Sequence, residues 1–155
     1  VLLAYAGCTV VGWRRPIPSR WIAVVLIGAI LPDLNRVTLV VSAGTLEAAL
    51  GVPFDPDALA TLGGTVILAA IGALVVADRH RRAFAALLAG GLSHLLLDGG
   101  KAYADGAAGA WLYPLTWARH PAPNLYVSSE PTVLTVAVAL VLLVSVVDRY
   151  AIGAQ

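Results

Sequence analysis

Charge is what this sequence has least of. Only 12% of its 155 residues are Asp, Glu, Lys or Arg, against 59% hydrophobic. Soluble domains carry about 25% charged residues, so a fully aqueous surface is excluded and an integral membrane protein is expected. Cysteine is almost missing: Cys8 stands alone among small neighbours, which rules out an internal disulfide and makes it a packing residue. No basic run is long enough to grip a nucleic acid, and a net charge of +1 supplies no such pull. There is no G-x-S-x-G element, which argues against a serine hydrolase. Repeats, low-complexity tracts and linkers are also lacking, so residues 1–155 read as a single integral membrane domain. The first apolar run has no charged leader, and Trp13-Arg14-Arg15 follows where a small-residue cleavage site would stand, so it does not read as a signal peptide.

The apolar runs set out an all-α, polytopic transmembrane bundle. Residues 1–13 are too short to cross alone, since a span takes ~20 residues, and residues ahead of Val1 are expected to complete that helix. Arg14 to Arg20 is a basic loop broken by Pro16 and Pro18, and Trp21 to Leu31 is a second helix ending around Pro32-Asp33. Val37 to Leu50 is helix-like but short and carries Glu47, so it is expected to lie in the interface or re-enter. Gly51 to Asp57 is a turn, with Asp57 a candidate cap for the next helix. Ala58 to Ala77 is the cleanest span, and Gly63, Gly64 and Gly72 would let its neighbours approach. Asp78 to Arg82 is a charged loop in which His80 is expected to be solvated, and Ala83 to Asp98 is the next span. Residues 99–130 form a long aromatic-rich connection containing Trp111 to Trp117, a segment suited to headgroup depth. Pro131 opens the last span, which ends near Asp148-Arg149-Tyr150.

Seven of the ten Lys and Arg fall in residues 14–20, 78–82 and 148–150. The positive-inside bias puts all three segments in the cytoplasm. They share a side only if 37–50 does not cross, giving about five spans plus one short interfacial or re-entrant helix. Asp33, Glu47 and Asp98 then fall toward the outer face.

The candidate site centres on Ser93-His94-Leu95-Leu96-Leu97-Asp98, where positions i and i+4 put an imidazole and a carboxylate on one helix face. Ionisable groups inside apolar helices point to function. Asp33, in Leu31-Pro32-Asp33-Leu34-Asn35-Arg36, is the third candidate. Asp33 and Asp98 each read as lying near a helix C-terminus, where the macrodipole disfavours a carboxylate by ~0.3–1 kcal/mol. A divalent cation would offset that charge, and two carboxylates with a histidine suit zinc, manganese or ferrous iron better than calcium. Water on such an ion could form hydroxide near neutrality. The alternative is that Arg36 and Lys101 pair with Asp33 and Asp98 while His94 only hydrogen-bonds across helices. Glu47 is a candidate general base, with an exposed interfacial charge as the plainer reading. His120 reads as an interfacial polar group.

Taken together, these residues resemble the membrane-bound metal-dependent hydrolases, a family also described as inner-membrane-associated hydrolases that bind LexA. Leu31-Pro32-Asp33-Leu34-Asn35 is similar to the family's Pro-Asp-x-Asp element, Ser93 to Asp98 to its Ser-His-x-x-x-Asp helix, and Trp111 to Trp117 to its aromatic segment. The resemblance implies metal-binding positions at Asp33, His94 and Asp98, with Asn35 an oxygen ligand where a second aspartate is common. Ala60-Thr61-Leu62-Gly63-Gly64 holds no histidine where the family has one.

The leading expectation is therefore a metal-dependent hydrolase of the cell's inner or plasma membrane, acting on an ester or phosphoester, lipid substrates included, at the outer face. Its catalytic residues would be Asp33, His94, Asp98 and Glu47, its cofactor zinc or manganese, and its partners membrane lipids and a homo-oligomer or larger membrane complex, with no nucleic acid. The rivals are a non-catalytic membrane subunit with a structural polar cluster and a small transporter with an ion path through the acids.

Overall fold

The computed structural model describes residues 1–53, 55–75 and 79–153. Among them lie six α-helices: α1 (Leu2–Gly12), α2 (Ser19–Gly28), α3 (Ala43–Leu50), α4 (Leu62–Val75), α5 (His80–Asp98) and α6 (Pro131–Gly153). Two 3₁₀ segments, Leu31–Leu39 and Pro56–Ala60, complete the regular structure.

Helix α5 is the centre, packed chiefly against α2 and α4. Glycine makes this possible at the α2–α5 crossing. A methyl group on Gly28 would collide with the Leu87 carbonyl, and one on Gly90 with the Val25 carbonyl, so the two backbones touch where neither has a side chain. The core beside this crossing is made of Ala69, Ala73, Ala83 and Leu87, closed over by Trp21, Val24 and Phe84. Helices α1 and α6 pack on each other, and the Trp13 indole donates a 2.9 Å hydrogen bond to Asp148 where the two meet.

The all-helical expectation stands, but about five spans is overturned. Only Pro131–Tyr150 is long and apolar enough to cross a membrane by itself among the described residues. Helix α2 and the Leu31–Leu39 segment would make a second crossing only if counted as one rod, and they are bent by 43°. The reason is length. At 1.5 Å per residue, the 11, 10 and 14 residues of α1, α2 and α4 reach about 15–21 Å, well short of a hydrocarbon core of about 30 Å. Helix α5 has 19 residues but carries His80, Arg81 and Arg82 in its first turn and His94 and Asp98 near its end. The reasoning that sorted basic loops across five spans falls with them.

Other boundaries moved for local reasons. Helix α2 stops at Gly28, so Asp33 lies in the first turn of the following 3₁₀ segment instead of at a helix C-terminus. The macrodipole argument therefore does not hold for Asp33. Helix α3 begins only at Ala43, capped by the Ser42 hydroxyl and stopped by left-handed Gly51 at φ 70°. Asp55, not Asp57, is the cap beyond it: its carboxylate accepts the Asp57 N–H at 2.9 Å and opens Pro56–Ala60. His80 belongs to α5, and its Nδ1 donates to the Ala73 carbonyl at 2.7 Å. The end of the expected Ala58–Ala77 span and Asp78 of the charged loop lie outside the described residues.

Residues 99–130 contain no helix and only isolated bridges, Lys101 to Tyr126 and Ala107 to Pro121. This long connection folds back over the C-terminal end of α5. Tyr126 donates its hydroxyl to the Leu97 carbonyl at 2.6 Å and Tyr103 to the Asp98 carbonyl at 3.0 Å. Those carbonyls belong to the last turn of α5 and also accept the Gly100 and Lys101 N–H groups, so the loop closes the helix it follows.

Candidate functional site

The turn after α2 and the last turn of α5 bring three of the expected residues together. His94 reaches from α5 to the end of α2, where its Nδ1 donates to the Ala29 carbonyl at 2.8 Å. Asp33 lies 3.8 Å from that same nitrogen. One turn further along α5, Asp98 lies 3.2 Å from Nε2, the i, i+4 pairing that the sequence spacing implied. Arg36 closes on Asp33 at 3.0 Å, and Lys101 pairs directly with Asp98.

The array is a line. Asp33 and Asp98 approach opposite nitrogens of one imidazole, so a cation held between Nε2 and Asp98 lies across the ring from Asp33. A histidine ligand must also be neutral and offer a lone pair. Here Nδ1 faces a carbonyl and Nε2 a carboxylate, both of which accept, an arrangement that favours a ring donating from both nitrogens over one with a free lone pair. The hydrogen bond to Asp98 holds the His94 pKa above its usual value, against the opposing effect of burial. Burial pushes the Asp98 carboxyl up, but hydrogen bonds from His94 and Lys101 outweigh it and leave the group below its ordinary range. As placed, Asp33, His94 and Asp98 do not fit a single metal ion. No group of three or more His, Cys, Asp and Glu among the described residues is arranged to hold one.

Asn35 and Glu47 take different places. Asn35 does not join the line but lines a cavity of about 660 Å³ beside it. Glu47 is exposed on α3 and does not line that cavity. Asp98 does, and it is the one member of the line that opens into the cavity. The other walls come from the Pro56–Ala60 region and the long loop, including Asp55, Asp57, Tyr103, Trp111 and Arg119. Trp117 also faces it and is 62% exposed, with its ring 4.0 Å from that of Tyr113. Arg119 is fixed by Asp105 at 2.6 Å and by the Ala107 and Ala108 carbonyls. The Asp105 carboxylate in turn holds the Arg119 pKa above its usual value.

Sequence reasoning missed Asp55 and Arg119 as cavity residues. Asp55-Pro56-Asp57 carries the signal of a carboxylate turning on its own backbone, which could have placed Asp55. Nothing local to Arg119 announces its pairing with Asp105. The His120 Nε2 is buried with no hydrogen-bond partner among the described residues, and its ring meets the edge of Trp111 at 6.4 Å.

No protein-family model, curated protein or solved structure matches this chain.

Proposed function

We propose that this chain is a membrane-anchored hydrolase that cleaves an ester or phosphoester in the cavity at the C-terminal end of α5. One observation carries the reading: Asp98 belongs both to the charged line through His94 and to the wall of a cavity large enough for a small polar group. His94 and Lys101 keep that carboxylate ionised and fixed. In the reaction, water held by Asp98 gives up a proton to the carboxylate as its oxygen bonds to the acyl carbon or phosphorus. The ester bond then breaks and the alcohol leaves with that proton. Arg119, on the same cavity, brings a fixed positive charge toward the negative charge that develops.

Helix α6 supports the membrane anchoring, since Pro131–Tyr150 is long and apolar enough to cross and only 6% of it is buried inside the protein. Orientation follows from its two ends. The Trp13–Asp148 hydrogen bond sets Arg14 and Arg15 near Arg149 at one end, whereas Leu97 shares a groove with Glu130 and Thr132 at the other. Positive-inside then favours the cavity on the outer face of an inner or plasma membrane.

The pairing of every charged group in the line favours a second reading, a non-catalytic membrane subunit in which Asp33, His94 and Asp98 hold helices together. Purified protein in lipid nanodiscs, offered fluorogenic carboxylic and phosphate esters, separates the two. The hydrolase reading expects turnover that falls at least about 100-fold in Asp98→Asn, with the melting curve of the variant still cooperative. Turnover that survives Asp98→Asn takes the base role away from Asp98, and no turnover by the parent protein on either ester class favours the subunit.

A further inference from the structure

The charges of the cavity do not balance. Arg119 is held by Asp105, and Lys101 and His94 are held by Asp98. Asp55 and Asp57 remain on the wall with no ion-pair partner among the described residues. One oxygen of Asp55 caps its own turn, leaving the other open to a ligand. The same cavity is walled by two indoles and a phenol, those of Trp111, Trp117 and Tyr103.

Carboxylates alone would suit any cation, including a hydrated metal ion. Aromatic walls narrow the choice. An indole face attracts a positive charge through its quadrupole but offers no lone pair to a metal, and it sheds water readily against methyl or methylene groups. A negative charge gains nothing from the acids or the indoles and has only Arg119 to meet on this wall. The group that gains from acids and indoles together is an organic ammonium, such as the amine or quaternary end of an ethanolamine or choline unit.

We propose that this cavity binds an organic ammonium group, seated between the Asp55 and Asp57 carboxylates and the rings of Trp111 and Trp117. The assignment rests on the hydrolase reading only for its consequence, that the scissile ester lies next to a cationic headgroup. Binding itself is independent of turnover. The ammonium has two sources, a lipid headgroup or a free amine compound. Position favours the lipid: Leu97, next to Asp98, lines a mostly apolar groove of about 650 Å³ between the N-terminal ends of α1 and α6, the latter being the helix suited to hydrocarbon.

The test uses the full chain, first in detergent, with choline chloride as the probe and tryptophan emission as the readout. A saturable change is expected with choline and not with sodium chloride at equal ionic strength. Asp55→Asn combined with Asp57→Asn, which keeps the capping oxygen, should weaken it about tenfold, and Trp117→Leu several-fold. Choline binding is read without turnover, so a parent protein that binds choline but cleaves neither ester class overturns the catalytic reading alone, and one that cleaves esters but does not bind choline overturns this site alone. Nanodiscs then distinguish the sources. A choline response lost in phosphatidylcholine but present in phosphatidylglycerol nanodiscs identifies the lipid headgroup, and an equal response in both identifies a free ammonium compound. No saturable response to choline, or one undiminished in both the Asp55/Asp57 and Trp117 variants, overturns the proposal.

Discussion

At the scale of single residues, His94 does most to fix the site. Its two N–H groups meet the Ala29 carbonyl and Asp98, so one ring joins the end of α2 to the end of α5. Hydrogen bonds involving charged groups contribute about 1.5–3 kcal/mol each. His94→Ala should therefore lower stability by about 2–4 kcal/mol, read as a fall in the thermal midpoint in detergent, with His94→Gln restoring part of it through the amide donor. A loss no larger than that of a surface substitution would mean the ring is not the joint. The pH dependence has a definite sign. His94 is raised above its ordinary value, so its contribution is complete below 6.5 and is lost as pH climbs through its higher folded value. Asp98 is lowered, so its contribution is present above 3.8 and is lost as pH falls through its lower folded value. The parent protein should be most stable in mildly acidic buffer, and His94→Gln should flatten the alkaline side of that profile. A parent profile that rises steadily from pH 6 to 9 would contradict this.

The approach of α2 to α5 governs the scale of elements. Gly28 and Gly90 let the two backbones meet, and the His94–Ala29 hydrogen bond depends on that closeness. Gly90→Val should force the helices apart and cost about 1–3 kcal/mol. Gly7→Ala, where an added methyl meets nothing within 4 Å, is the matched control and should be neutral or slightly stabilising. Thermal melts of the two variants side by side check this. Much of the element order was legible because it depends on local chemistry: His94 and Asp98 read as sharing one helix face, and Pro131 as a helix start. The ends were less legible. Trp21 to Leu31 is uniformly apolar up to Pro32, and nothing in that run shows that α2 must stop at Gly28 to let Ala29 offer its carbonyl to α5. The meeting of Asp33 with His94 was foreseen, but their geometry was not. Whether two acids share a point or lie on opposite sides of a ring depends on a turn between elements, which periodicity does not encode.

On the scale of the whole molecule, hydrophobicity was legible and its use was not. A high apolar fraction suggested several spans, yet α1 and α2 are cut short by turns, and among the described residues only α6 is both long and apolar enough to cross by itself. Composition counts apolar residues without regard to where the chain bends. Helix α6 is accordingly the element on which membrane anchoring depends. An arginine near the centre of a span costs about 2.5–3.5 kcal/mol, so Leu142→Arg with Leu143→Arg, both on exposed positions of α6, should move the protein from the carbonate-resistant membrane pellet into the soluble or aggregated fraction. Retention in the pellet would assign the anchoring to another part of the chain.

The way α6 is attached has a mechanical consequence. It packs chiefly on α1, with the Trp13–Asp148 bond near one end, while the joint at His94 ties α2 to α5 elsewhere in the chain. Under tension applied to the C-terminus by an optical trap, the α1–α6 pair should peel first, and the segment from α2 to α5 should yield in a later rip at higher force.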